Sequence, residues 1–223
     1  GRERHAELTA LVRERLPRMV TGSDGSCAVL RDLKYIKVDP ATLGGPPLAA
    51  AVDDRDGALF LVDASGRLLG YDRQWRPLGL NQVLDVAASN GTVYALLASG
   101  KLMQRSAGGR FVEIQQKPMS GTLLASGGVL YALGAKGELS RYRDGKWEGG
   151  LASGLRQVVA AGPSWFGLTQ AGRVQSSDKA RFTELGEGAV ALAQGGDTLV
   201  MVTRNHHVFE YDLKRARWTS LPF

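Results

Sequence analysis

The chain has 223 residues and is 43% hydrophobic, enough for a sizeable core in one large all-β domain or two average ones. Its single cysteine, Cys27, excludes an intrachain disulfide, and no apolar run approaches the roughly 18 residues that a membrane-crossing helix needs. The net charge of +6 admits an anionic partner, but the 28 Lys and Arg are spread among 22 acids rather than clustered with stacking aromatics, which argues against nucleic acid.

The chain opens on Gly1 with no charged and then apolar leader, so no signal peptide is expected within it, and the compartment stays open. An excised or processed piece of a larger, bacterial protein would begin in this way. Residues 1–17 read as an N-terminal helix or linker. Leu8, Leu11, Val12 and Leu16 form one apolar stripe, and Pro17 ends it.

From 16 to 223 the chain repeats one unit, best seen in 119–151: an apolar strand, a glycine turn, a second strand, a second glycine turn, a charged strand, and a last strand around Trp147. The copies fall at about 16–45, 46–80, 82–115, 119–151, 155–186 and 189–222, the first of them degenerate. Trp75, Phe111, Trp147, Phe182 and Trp218 set the register, 35 or 36 residues apart. Phe60, Tyr94, Tyr131 and Phe166 recur in the second strand, and Gly66, Gly100, Gly137 and Gly172 in the second turn, where a positive φ is expected.

Strands in a two-sheet sandwich alternate, because one face of each sheet is wet. Here AAAV, VLDVAA, TLLA, QVVAA and AVALA are nearly unbroken runs of small apolar residues, suited to crowding about a central axis. The expected fold is therefore an all-β β-propeller of four-stranded blades, six of them, the alternative being five with 16–45 as an added edge and cap. The recurring late Trp or Phe should wedge between blades rather than bind a ligand.

The segments NGTVYALLASGKLMQRSAGGRF and GGVLYALGAKGELSRYRDGKW carry (Asn/Asp)-Gly, an aromatic strand, Gly-Lys/Arg and a late aromatic, a pattern that resembles the tectonin family. The resemblance covers about 46–222, more loosely from 16. It implies a propeller, commonly six-bladed, and a family that includes lectins for cell-surface glycans or lipopolysaccharide.

No catalytic constellation is expected. The histidines are His5, His206 and His207, and neither a GxSxG elbow nor an HExxH helix occurs. No cofactor or metal is expected either. Asp53-Asp54-Arg55-Asp56-Gly57 lacks the spaced ligands of a calcium loop and reads as a solvated first turn. Cys27 reads as a small core residue. In the last copy Arg204-Asn205-His206-His207 replaces the second glycine turn, with Asn205 as the residue expected to turn left-handed. Its two histidines make a surface turn or a ligand contact.

Charge sorts by loop. Lys34, Arg67, Lys101, Lys136, Arg173 and Arg204 stand at the second turns, and Asp24, Asp53, Asp54, Asp56 and Asp197 at the first. One rim should then be basic and the other partly acidic. With His206 and His207, the six cations form the candidate face for a protein partner or an anionic glycan. The expected function is a non-enzymatic interaction module, with a tectonin-type lectin as the alternative.

Overall fold

A computed structural model describes residues 19–21, 27–31, 34–38, 43–106, 108–114, 119–161, 164–177, 188–195, 198–215 and 217–221. Side chains are described from residue 43 onward, except at 161, 194 and 195. The expected helix over 1–17, with His5, and the residues Asp24, Phe182 and Asp197 lie outside the described residues, as do the side chains of Cys27 and Lys34.

The described residues form six antiparallel sheets whose strands follow chain order. The first holds β1 (Met19–Thr21), β2 (Cys27–Arg31) and β3 (Lys34–Val38). The second holds β4 (Ala49–Val52), β5 (Leu59–Val62), β6 (Leu68–Asp72) and β7 (Gln74–Pro77). The third holds β8 (Val83–Ser89), β9 (Thr92–Leu97), β10 (Leu102–Arg105) and β11 (Phe111–Glu113). The fourth holds β12 (Gly121–Ser126), β13 (Val129–Gly134), β14 (Leu139–Arg143) and β15 (Lys146–Ala152). The fifth has three described strands, β16 (Leu155–Ala161), β17 (Ser164–Thr169) and β18 (Val174–Ser176). The sixth holds β19 (Ala189–Gly195), β20 (Thr198–Thr203), β21 (Val208–Asp212) and β22 (Arg217–Leu221). Lys37–Gly154 and Leu155–Phe223 fall in separate compact units.

Within each unit, sheets pack face against face, with their first strands side by side. That is why second strands are buried on both faces: all of Leu59–Val62, Val93–Leu96 and Val129–Leu133 are out of solvent. Phe60, Val62 and Leu68 pack against Val83, Val86 and Val93 of the next sheet. Ala87, Tyr94 and Leu96 do the same with Leu123, Leu130 and Ala132. In the other unit Phe166, Leu168 and Val174 meet Leu192, Leu199 and Tyr211. Face-to-face succession of this kind makes each sheet a blade.

The described register-setting aromatics are half-buried, and Phe111, Trp147 and Trp218 belong to these inter-sheet cores. Three of these, the last-strand Trp residues, sit opposite a tyrosine on the neighbouring strand: Tyr71–Trp75 at 5.2 Å, Tyr142–Trp147 at 5.3 Å and Tyr211–Trp218 at 4.9 Å between ring centres. Tyr142 in turn meets Tyr94 of the preceding sheet edge-on at 6.4 Å.

The second hairpin is built alike in five sheets. The first turn residue donates its N–H to the carbonyl four residues on, and the fourth donates back to the carbonyl of the first, as in Asp63 N to Arg67 O and Gly66 N to Asp63 O. That fourth residue is Gly66, Gly100, Gly137 or Gly172, with φ between 78 and 82°. The same glycine then touches the following segment. Val83 N donates to Gly66 O, Met119 N to Gly100 O and Ala189 N to Gly172 O, at 2.9 to 3.0 Å. In the last copy His206, not Asn205, takes the glycine's place, with φ 62°. The expectation for Asn205 was one residue early: the bonding frame Thr203 N to His207 O and His206 N to Thr203 O fixes the fourth position, and that position is the left-handed one.

Candidate functional site

First and third turns of a four-stranded antiparallel sheet share one end, and the second turn shares the other with the link to the next sheet. The expected basic rim is at the second-turn end. Lys34 opens β3 there. Arg67 is held by Asp63, whose side chain is fully buried. Asp63 Oδ2 accepts from Arg67 Nε at 2.6 Å, and Oδ1 accepts from Ser65 N, Ser65 Oγ and Arg67 N. Burial alone would raise this carboxyl, but the bonds from Arg67 and Ser65 outweigh it and hold it below its ordinary value. Lys101 Nζ pairs with Glu113 at 2.9 Å.

Lys136 is exposed one place ahead of Gly137, and the position that Arg67, Lys101 and Arg173 hold is Glu138 in this copy. In the last copy that position is His207, and Arg204 lies two places ahead of His206. One cation thus stands at the second turn of each of these copies, but only Arg67, Lys101 and Arg173 share the place after the glycine. In the Lys37–Gly154 unit, Arg67, Lys101 and Lys136 are matched three for three by Asp63, Glu113 and Glu138. Among the described residues, the second-turn cations of that unit are thus equalled by acids of their own sheets.

His206 and His207 are both exposed, and the His207 ring meets Phe209 edge-on at 6.4 Å. Among the described residues no three His, Cys, Asp or Glu side chains gather as a metal site would require.

Of the first-turn acids, Asp54 and Asp56 are exposed as expected, but Asp53 is not. Asp53 is 1% exposed: Oδ1 accepts from Arg55 N and Oδ2 from Gly91 N of the next sheet at 2.6 Å. Asp54 reaches two sheets onward, accepting from Ser89 Oγ, Asn90 N and Gly127 N, while Ser89 Oγ accepts from Gly128 N. Partial burial opposes ionisation of Asp54, but the bonds from Asn90, Gly127 and Ser89 outweigh it and lower its pKa. These two carboxylates stitch three consecutive first turns together. Backbone donors an entire repeat away left no mark in the local sequence.

A second fastener lies two residues past the start of the first strands. Asp85 Oδ2 accepts from Leu123 N of the next sheet at 2.6 Å. Gln157, at the equivalent place, accepts from Leu192 N at 3.0 Å and donates to Leu192 O at 2.7 Å.

Positive charge collects instead at the third hairpins, which sequence reasoning passed over. In the Lys37–Gly154 unit their seven cations, Arg73, Arg76, Arg105, Arg110, Arg141, Arg143 and Lys146, face four acids, Asp72, Glu113, Asp144 and Glu148, of which Glu113 is held by Lys101. Sorting charges by the third turn as well as the first two would have found them.

The fold these sheets define is a β-propeller. No family model and no curated protein matches the chain. Among solved structures, it is similar to YCF48 bound to D1 peptide, with TM-score 0.54, 15% identity, and coverage of 78% of this chain and 68% of that one. It is similar to BamB from Moraxella catarrhalis, with TM-score 0.51, 12% identity, and coverage of 87% and 66%. It also resembles the C-terminal WD40 domain of Sif2, with TM-score 0.55, 12% identity, and coverage of 88% and 64%.

Proposed function

We propose that the chain is a non-enzymatic protein-interaction module, a propeller with one blade for each of its six sheets. The observation that carries this reading is a pair of leucines, Leu48 and Leu84, each 52% exposed. They hold equivalent places where β4 and its neighbour β8 begin, at the second-turn end. Paired apolar side chains amid balanced charge suit a protein surface, which offers both apolar and charged groups. The similar YCF48 structure has a peptide bound.

The tectonin-type lectin reading asks for exposed aromatic platforms beside polar groups. Every described Trp, Tyr and Phe side chain is buried or half-buried, which favours protein over glycan. Peptides selected by display against the wild-type chain provide the test. Leu48→Glu with Leu84→Glu should weaken the selected peptides by about 30-fold, the scale of an interface anchor, with the melting temperature unchanged. Binding on a glycan array that the double variant leaves intact would favour the lectin instead.

A further inference from the structure

We infer that the third-hairpin end of the Lys37–Gly154 unit is a docking surface for an acidic protein segment carrying apolar side chains. This deepens the protein-interaction reading, on which it rests, by adding a second surface and a partner chemistry.

The topology puts the β6–β7, β10–β11 and β14–β15 hairpins at the same end of three successive blades. Seven cations against four acids leave a net +3 there. Not all of that charge is committed. Arg141 pairs with Glu148 at 2.7 Å, and Arg143 with Asp144 at 3.3 Å, where both side chains are more than half exposed and the pairing is weak. Arg73, Arg110 and Lys146 are exposed, one per hairpin, and pair with no described carboxylate. The middle hairpin carries Arg105 and Arg110, its one acid, Glu113, is paired with Lys101, and Val112 on β11 is 49% exposed.

An extended partner touching all three hairpins would gain from charges that singly contribute little. Val112 gives it one apolar contact. Single-stranded nucleic acid fits less well. Phe111 and Trp147 are packed between sheets, and Trp75 is half-buried against Tyr71 of its own sheet, so the aromatics of these hairpins offer no open stacking platform.

The test is a fluorescein-labelled peptide of alternating Glu and Leu, titrated into the full chain at low and physiological salt. An oligothymidylate of equal charge is titrated in parallel. Arg73→Gln, Arg110→Gln and Lys146→Gln together should weaken the peptide about tenfold at low salt, as should raising the salt for wild type. Lys101→Gln with Lys136→Gln, at the other end, should leave it unchanged. The three exposed substitutions should also keep the wild-type melting temperature. The inference is overturned by no peptide binding at low salt, by equal affinity of the triple variant, or by tighter binding of the oligonucleotide. If display-selected peptides still depend on Leu48 and Leu84 while the acidic peptide fails, the interaction reading stands and this surface falls.

Discussion

Asp85 and Gln157 solve one problem with different chemistry. Each reaches from a first strand to the backbone of the next sheet's first strand, at Leu123 and Leu192 respectively. Gln157 both donates and accepts, so it satisfies an N–H and a carbonyl at once. Asp85 can only accept, from Leu123 N and Val86 N, and its burial raises the carboxyl pKa more than those bonds lower it. The sign follows from linkage. A carboxyl whose folded pKa is raised binds its proton more tightly in the native state. Its contribution is complete below the unfolded value, near about 3.9, and is lost as pH rises through the folded one. Asp85→Asn should remove that loss. Urea midpoints for wild type and variant, taken at intervals from pH 4 to 7, should diverge in the variant's favour as pH rises. A constant offset across that range would show that Asp85 does not titrate there.

At the scale of the element, the second hairpin shows why glycine is wanted twice over. Gly172 has φ 81°, and a Cβ on it would also come within 3.0 Å of Ala189 O, where β19 begins. Gly145 has φ 76° in the β14–β15 turn but open space around the absent Cβ. Gly145→Ala should therefore cost about 1–2 kcal/mol, the left-handed penalty alone. Gly172→Ala should cost about 1–3 kcal/mol more, because backbone rather than a mobile side chain must move. Equal chemical-denaturation losses for the two variants would remove the second role. The hairpin was legible because its glycine recurs at a fixed place in successive copies. His206 was misjudged because a propensity for left-handed backbone favoured Asn205, whereas the bonding frame decides which residue turns. Asp53, Asp54 and Asp85 were illegible for another reason. Their partners are main-chain N–H groups 36 to 73 residues away, which any residue but proline supplies. The candidate cations were found as residues but not as a site, since Glu113 returns to Lys101 only when β11 pairs with β10.

On the scale of the whole molecule, no sheet here could bury its own second strand, so stability is shared between neighbours. Trp147 is the place to test that. It lies on the last strand of its sheet, yet it packs on the cluster that joins Ala87, Tyr94 and Leu96 to Leu123 and Leu130. Its indole Nε1 is buried and finds no hydrogen-bond partner among the described residues, so the ring is held by packing alone. Phe111 fills the equivalent position one repeat earlier, on the cluster shared by the second and third sheets. Trp147→Phe should then cost less than about 1.5 kcal/mol, and Trp147→Ala about 3 kcal/mol or more. The wider consequence is spatial. Amides of β8 and β9, which belong to the preceding sheet, should exchange faster in Trp147→Ala along with those of β14 and β15. Faster exchange confined to β14 and β15 would mean that each sheet carries its own stability and that the ring is only a local filler.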